Sequence, residues 1–184
     1  MEAIKLAEDI FCIKDFFSKE ECQKWIEFSE DQGYELAKIN MGSRRPQVVN
    51  KSIRNNERVI YDNETLAAQL WLRVKPFVIP ETKYGVACGL NERFRFYKYQ
   101  PQQYFKPHKD GSFYRNSNEW SAYTLMIYLN ENMEGGDTTF PDFSIQPKTG
   151  AAILFKHDII HAGAPVESGL KYILRTDVMY KRKQ

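Results

Sequence analysis

The alternation of short strands and turns in the second half of the chain most constrains its fold. Between residues 93 and 180, stretches rich in aromatic and β-branched residues are separated by turn sequences such as residues 100–103 and 147–150. This pattern predicts about six to eight strands. Because only two helical patterns precede them, helices and strands cannot alternate as in a parallel βαβ sheet. The sequence therefore predicts a mostly β (α+β) fold, a double-stranded β-helix or jelly roll, with two N-terminal helices packed on the outside.

The two helices are predicted from their capping residues and apolar spacing. The first is expected over residues 19–31, because Ser18 and Glu21 have the capping-box spacing. The second is expected to begin after Asp62 or Asn63, where apolar residues recur at helical spacing.

Composition limits the class of protein. With 184 residues, of which 42% are hydrophobic, the chain has the size of one domain. We divide it into helical support with a substrate loop (residues 1–80) and a jelly-roll core (residues 93–180). A net charge of +2 indicates neither a nucleic-acid nor a membrane partner, and charged residues interrupt the N-terminal apolar runs. Three cysteines without CxxC spacing predict neither disulfides nor a zinc site, and favour a reducing, cytoplasmic location.

His108, Asp110 and His161 form a candidate metal site. Residues two apart on a strand face the same side, so His108 and Asp110 can reach one small volume. With His161 they match the 2-His-1-carboxylate pattern that holds non-haem Fe(II) and leaves coordination positions open. The alternative is a surface or capping pair, because His-x-Asp is common by chance. The remaining histidine, His157, is expected behind these residues or at the surface.

A basic segment precedes the strands. Residues 38–58 show little periodicity and carry Arg44, Arg45, Lys51, Arg54 and Arg58. One interpretation is a solvated loop. The other is a mobile loop that covers a site and contacts substrate. In the second case, the expected substrate contacts are Arg54, Asn55 and Arg58.

Several motifs, in a fixed order, carry a family resemblance. They are Tyr97-Lys98-Tyr99 ahead of His108-Lys109-Asp110, Ile-Tyr-Leu-Asn at 127–130, Glu-Gly-Gly-Asp-Thr-Thr-Phe at 134–140, the segment 147–155, and His161 to Pro165 followed by Gly169-Leu170-Lys171. The chain thereby resembles the Fe(II)/2-oxoglutarate-dependent dioxygenases, specifically their prolyl-4-hydroxylase-like branch. Residues 15–22 also look like the entry helix of that branch.

The resemblance implies ligands for a metal and a cosubstrate. It makes His108, Asp110 and His161 the Fe(II) ligands, with 2-oxoglutarate chelating the iron through its keto acid end. The far carboxylate would pair with a basic residue about ten positions after the second histidine, which here is Lys171. Arg175 shares a strand face with Lys171 and could bind a carboxylate with two hydrogen bonds. Both residues therefore remain candidates, with Lys171 favoured by spacing.

Three further residues are implied to line the cosubstrate pocket. Tyr128 matches a tyrosine that donates to the far carboxylate, Thr124 lies on the same strand face, and Tyr99 matches a pocket tyrosine. Each is equally compatible with a place in the core, and both roles can hold together.

The implied reaction is hydroxylation of a C–H bond, which consumes O₂ and converts 2-oxoglutarate to succinate and CO₂. Ascorbate is left open as a reductant. Asp110 favours hydroxylation over halogenation, since halogenating relatives lack the carboxylate. The expected substrate is a peptidyl proline or another protein side chain, with a free amino acid or other small molecule as the alternative. Residues 171–177 lack the arginine-rich ending of the nucleic-acid demethylases, which argues against a nucleic-acid substrate. The alternative from a different functional class is a non-catalytic jelly-roll binding module.

Overall fold

The computed structural model describes residues 1–39 and 46–183, so Arg44 and Arg45 of the basic segment lie outside the described residues. Both predicted helices are confirmed, as α1 (Lys19–Gln32) and α2 (Glu64–Val74), and a 3-10 turn follows α2. The hydroxyl of Ser18 accepts a hydrogen bond from the Glu21 amide, and the Glu21 carboxylate accepts one from the Ser18 amide. Asn63 caps α2 through the amide of Leu66. In the part of the chain that is described, no helix has the length and hydropathy of a membrane span.

The remaining elements are strands. The first eight are β1 (Glu2–Ala7), β2 (Ile10–Lys14), β3 (Glu35–Leu36), β4 (Glu57–Asp62), β5 (Gly85–Leu90), β6 (Arg93–Tyr99), β7 (Phe105–His108) and β8 (Tyr114–Asn116). The next eight are β9 (Glu119–Tyr128), β10 (Met133–Gly135), β11 (Thr138–Thr139), β12 (Ser144–Ile145), β13 (Ala152–Lys156), β14 (His161–Gly163), β15 (Val166–Gly169) and β16 (Lys171–Arg182).

These strands form a ten-stranded and a four-stranded antiparallel sheet together with a separate two-stranded pair, which confirms the predicted jelly roll. The large sheet follows the path β1-β2-β13-β9-β16-β6-β4-β3, with β5 added at β16 and β8 at β9. The small sheet has the order β12-β11-β14-β7, and β10 pairs with β15. Side chains from both sheets can therefore meet in the space between them.

The two faces of the large sheet have different roles, because successive residues of a strand point to opposite sides. On β16, Leu174 belongs to the apolar core that includes Leu66 and Leu70 of α2. Its neighbour Ile173 belongs to a second apolar cluster, which includes Phe155 of β13. The helices thus cover the outer face, as predicted, and the inner face borders the space between the sheets.

The predicted loop over residues 38–58 is wrong at its C-terminal end. Arg58 lies in strand β4, where it pairs with Tyr97 of β6, and Arg54 forms an isolated bridge to Phe105. Both arginine side chains are buried, with 4% of Arg54 and 5% of Arg58 exposed. The sequence pattern missed β4 because its longer pairing, with β6, joins residues more than thirty positions apart, and because charge interrupts its alternation.

Gly150 should be the most sensitive glycine at the contact between the N-terminal segment and the large sheet. Its φ is +80°, its carbonyl accepts a hydrogen bond from the Phe17 amide at 3.0 Å, and a β-carbon there would lie 2.1 Å from the Phe17 carbonyl oxygen. We expect Gly150→Ala to lower the free energy of unfolding by more than about 2 kcal/mol in chemical denaturation. Gly89→Ala is the control: a β-carbon there meets nothing within 4 Å, so its effect should stay within about 0.5 kcal/mol. Equal losses would contradict the steric explanation.

Candidate active site

The structure brings His108, Asp110 and His161 together between the sheets. His108 ends β7 and His161 begins β14, and the two face each other across this antiparallel pair. Each of the three residues offers a ligand atom, and these atoms all lie within 4.8 Å of one another. Asp110 lies just beyond the end of β7. The spacing argument had wrongly placed it on the strand. Its orientation depends instead on its own amide, which donates to the carbonyl of His157 at 3.0 Å.

Backbone hydrogen bonds fix the tautomer of both imidazoles. Nδ1 of His108 lies 2.8 Å from the Lys106 carbonyl oxygen, and Nδ1 of His161 lies 3.0 Å from that of Ile159. Because a carbonyl can only accept, each Nδ1 carries the proton and each Nε2 has a free lone pair. The Nε2 atoms lie 3.8 Å and 3.6 Å from the carboxylate oxygens of Asp110. Burial lowers the pKa of His108 to about 4 and also lowers the pKa of His161, so both rings are neutral at pH 7.

The carboxylate of Asp110 is held in its ionised form. Burial alone would raise its pKa, but the nearby charge of Arg175 and a hydrogen bond from Thr124 help to bring it below the usual range. Arg175 Nη2 lies 3.1 Å from Oδ1 of Asp110 and 3.0 Å from Oδ1 of Asp177. Two neutral imidazoles and one carboxylate form the donor set of a divalent transition metal such as Fe(II).

A pocket runs from these three residues to Lys171. It encloses about 420 Å³ including its open mouth, and Phe155 and Ile173 form part of its apolar wall. Lys171 is 1% exposed, its ammonium donates to the carbonyl of Gly136, and it lies 5.3 Å from the centroid of the Tyr99 ring. Burial lowers the pKa of Lys171 to about 7. Among the described residues, no carboxylate forms an ion pair with this ammonium.

The hydroxyls of Thr124 and Tyr128, two further residues predicted to contact the cosubstrate, are hydrogen-bonded to other side chains. Thr124 lines the pocket, but its hydroxyl donates to Asp110. Tyr128 lies behind the lining, and its hydroxyl donates to Thr138 Oγ1 at 2.6 Å. Thr138 itself faces the pocket. Sequence reasoning missed this role of Thr138, although the residue lies within the motif at 134–140.

A wider, outward pocket adjoins the same site and contains two of the three predicted substrate contacts. Arg54 and Arg58 line it, together with Arg95 and Tyr97. Sequence reasoning named Tyr97 in a motif but gave neither residue a role. Asn55 does not line it, because its side chain accepts from the Tyr104 amide at 2.7 Å and donates to the carbonyl of residue 102. Arg95 and Tyr97 could have been found from the sequence, because they share a strand face with Tyr99 on β6.

His157 is buried and not at the surface. It is 5% exposed, and its Nε2 lies 3.6 Å from Oδ1 of Asp177. It therefore lies behind Arg175 and Asp110, next to the carboxylate of Asp177.

Comparison with known proteins gives a consistent result. The sequence profile of the 2OG-Fe(II) oxygenase superfamily matches residues 94–176, a segment that contains the three clustered residues. The chain is 26% identical to a candidate prolyl 4-hydroxylase of Acanthamoeba polyphaga mimivirus, over 89% of this chain and 71% of that protein. It is 24% identical to prolyl 4-hydroxylase 1 of Arabidopsis thaliana, over 93% and 69%.

Solved structures agree in fold. A viral collagen prolyl hydroxylase from Paramecium bursaria Chlorella virus-1, in complex with 2OG, superposes with a TM-score of 0.66 at 22% identity, over 93% of this chain and 96% of that one. A Trichoplax adhaerens prolyl hydroxylase, bound to a hypoxia inducible factor peptide fragment, gives 0.68 at 14% identity, over 95% and 84%. Residues 94–176 therefore form a 2OG-Fe(II) oxygenase domain, and the chain is a 2-oxoglutarate-dependent dioxygenase that is similar to prolyl 4-hydroxylases over most of its length.

Proposed function

We propose that this protein hydroxylates a C–H bond of a prolyl residue, or of another side chain in a peptide, and releases succinate and CO₂. One observation carries the proposal: two neutral imidazoles and an ionised carboxylate converge at one end of a buried pocket whose other end is the Lys171 ammonium. Fe(II) and 2-oxoglutarate, when bound, supply the activation of O₂ that amino-acid side chains cannot provide.

In this proposal His108, Asp110 and His161 hold the iron, and the remaining side chains orient these ligands. The carbonyls of Lys106 and Ile159 keep each Nε2 available to the metal. Thr124 and Arg175 fix the carboxylate of Asp110 so that its oxygens face the imidazoles. Ligands oriented in advance by such outer contacts bind a metal more tightly than flexible ones.

Lys171 is the better of the two candidates for the far carboxylate of 2-oxoglutarate. Arg175 is already engaged by the carboxylates of Asp110 and Asp177. Lys171 has only the carbonyl of Gly136 as a hydrogen-bond acceptor and forms no ion pair among the described residues, since Asp137 acts on it only from a longer distance. A buried ammonium gains most from a carboxylate where no other anion competes. The adjacent hydroxyl of Thr138 can act as a second polar contact in the place that the sequence had given to Tyr128.

The assignment to a peptide substrate rests on the relatives. The named relatives are prolyl hydroxylases, and one structural neighbour is bound to a peptide. The outward pocket opens beside the metal site, where its lining includes His108 and Asp110. A free amino acid is the second candidate. A non-catalytic binding module would not require a complete donor set with both tautomers fixed. The reducing cytoplasm, with ascorbate as an optional reductant, is the setting that would keep the metal as Fe(II).

The test of the proposal is an anaerobic titration with Fe(II) and 2-oxoglutarate, followed by addition of O₂. The wild type should develop a weak visible charge-transfer band and release succinate. His108→Ala and Asp110→Asn should lose both signals, because each removes a ligand. Asp158→Asn, a change of the same kind at an exposed carboxylate, should keep them. A wild type with neither band nor succinate would refute the enzymatic proposal.

The substrate class needs a separate experiment. Succinate release should be measured across proline-containing peptides, free amino acids and methylated nucleotides. Stimulation by a proline peptide, with a mass gain of one oxygen in that peptide, is the expected result. Turnover of a free amino acid together with failure of every peptide would move the assignment to a small molecule.

A further inference from the structure

The outward pocket carries an excess of positive charge. Its cationic lining residues are Lys38, Arg54, Arg58, Arg95, Lys109 and Arg175. Among its described lining residues, Asp110 is the one with an acidic side chain. If Asp110 is a metal ligand, its charge is also shared with the metal. Such an imbalance on an open surface is ordinary, but in a partly buried pocket it needs a counter-charge.

Two of these arginines form no ion pair among the described residues, and the acidic residue opposite Arg58 on strand β3, Glu35, acts on it only from a longer distance. Arg95 and Arg175 both contact Asp177. Arg54, by contrast, bonds only the neutral amide oxygen of Asn56, at 2.8 Å and 2.9 Å. The undescribed residues 40–45 contain no Asp or Glu that could supply a side-chain carboxylate.

Arg58 is the less satisfied of the two. One of its terminal nitrogens lies 3.2 Å from the Gln47 amide oxygen, and its Nε is buried without any hydrogen-bond partner in the described structure. Burial lowers the pKa of Arg58, which reflects the cost of a charge removed from water. A buried guanidinium with free donors is a binding site for a planar oxyanion, because its fork matches a carboxylate.

These arginines lie close to the metal site. The Cζ atom of Arg54 lies 4.1 Å from the centroid of the Phe105 ring, and that ring stacks on His108 with centroids 3.5 Å apart. One aromatic ring therefore separates the guanidinium of Arg54 from a candidate iron ligand. Tyr97, which pairs with Arg58 across the sheet, completes the wall. Burial alone would raise the pKa of Tyr97, but four arginines outweigh it and lower the pKa to about 8.

We propose that Arg54 and Arg58 bind a carboxylate of the molecule that is hydroxylated, so that the substrate is acidic next to the oxidised position. This proposal rests on the proposed function, because it concerns the same active site. In a peptide, the carboxylate comes from an Asp or Glu side chain beside the oxidised residue. In a free amino acid, the α-carboxylate has the same chemistry. The two sources are distinguished by the test.

The test measures binding first, without turnover. The protein is loaded with Mn(II) and 2-oxoglutarate under anaerobic conditions, and the affinities of matched proline peptides with blocked ends are compared by calorimetry. A peptide with Glu beside proline should bind at least about 30-fold more tightly than the same peptide with Gln, which is typical of a buried charge pair. If the α-carboxylate is the recognised group, the Gln peptide gains affinity only when its C-terminus is unblocked, and free proline binds. Both results support the carboxylate site, whereas equal affinity of all these ligands overturns it.

The variant Arg58→Gln tests the assignment to this residue. The preference for Glu over Gln should fall to within about 3-fold, whereas Arg182→Gln, at an exposed arginine, should keep the full preference. Because Arg58→Gln removes an uncompensated buried charge, the melting temperature of the ligand-free variant should stay the same or rise. A lower melting temperature with an unchanged preference would make Arg58 a structural residue and overturn its assignment.

The outcome is separable from the proposed function. Uncoupled succinate release from 2-oxoglutarate alone, measured in the wild type and in Arg182→Gln, reports the dioxygenase activity without any peptide. Loss of the charge preference in Arg58→Gln, with succinate release and full preference in these two proteins, supports the carboxylate site. A wild type that makes succinate but ignores peptide charge refutes this inference and leaves the dioxygenase activity intact.

Discussion

Replacing Lys171 by methionine is expected to weaken the binding of 2-oxoglutarate by about 100-fold, because removal of one member of a buried charge pair costs about 2–5 kcal/mol. Iron binding should be unchanged, since Lys171 is not among the three clustered ligand residues. Calorimetry with Mn(II)-loaded protein measures both affinities. Methionine matches the aliphatic part of the lysine side chain and lacks only the ammonium, so the apolar wall around Ile173 is preserved. Lys148→Met, at an exposed lysine, is the control and should match the wild type.

The same residue should make cosubstrate binding dependent on pH. Because burial lowers the pKa of Lys171 to about 7, the free protein has lost most of this proton at pH 8. Only the protonated ammonium pairs with a carboxylate, so binding above pH 7 must take up a proton. The Kd of 2-oxoglutarate should therefore rise with pH, by at most about tenfold per unit. The Kd of the Lys171→Met variant should not depend on pH in this way. If the Kd of that variant equals that of the wild type, Arg175 and not Lys171 binds the far carboxylate.

Stability should change with pH in the opposite direction to cosubstrate affinity. The unfolded chain keeps the proton of Lys171 up to about pH 10.4, whereas the folded, ligand-free protein releases it near pH 7. Between these values the unfolded state binds more protons, so the free energy of unfolding rises with pH, by at most about 1.4 kcal/mol per unit. Denaturation curves of the wild type and Lys171→Met at several pH values isolate this contribution.

The second large effect is expected at Arg175, whose replacement by methionine should lower the free energy of unfolding by about 3–5 kcal/mol. The guanidinium lies between the carboxylates of Asp110 and Asp177, and burial leaves those charges without water. Chemical denaturation of the metal-free protein measures the loss. Arg93→Met breaks the half-exposed pair with Asp62 and should cost less than about 1 kcal/mol.

Two further measurements distinguish charge from packing at Arg175. Adding Asp177→Asn to the methionine variant should recover part of the lost stability, because it removes one of the two unpaired carboxylates. Saturation with Fe(II) should also reduce the loss, since the metal would supply a counter-charge to Asp110. If neither change reduces the loss, the contribution of Arg175 is packing alone.

The elements that the sequence predicted correctly are those with local signals. The capping box at Ser18 and the stripe of α2 depend on neighbours within a few residues. The central strands β9 and β16 are long runs of β-forming residues. Strands β4 and β5 were missed because each pairs with a distant strand of the large sheet and carries polar residues on one side. Strand β1 was missed although its partner β2 follows directly, because charged residues interrupt its apolar pattern.

The candidate site divides in the same way. Motif order identified His108, Asp110, His161 and Lys171 as candidates, and these residues do border one pocket. Hydrogen-bond partners could not be predicted from spacing. The hydroxyl of Tyr128 donates to Thr138, and the Asn55 side chain forms hydrogen bonds to the backbone of residues 102 and 104. The burial of Arg54 and Arg58 was equally hidden, because charged residues are normally exposed.

The placement of the three clustered residues links occupancy of the site to the lifetime of the protein. His108 and His161 belong to the small sheet, whereas Asp110 is held by Thr124 and Arg175 of the large sheet. A metal bound by all three joins the sheets at a point where the small sheet ends in the edge strand β7. At 100 times its Kd, the metal would add about 2.7 kcal/mol to the folded state. Because degradation follows the population of open forms, iron limitation would shorten the survival of the enzyme as well as silence it.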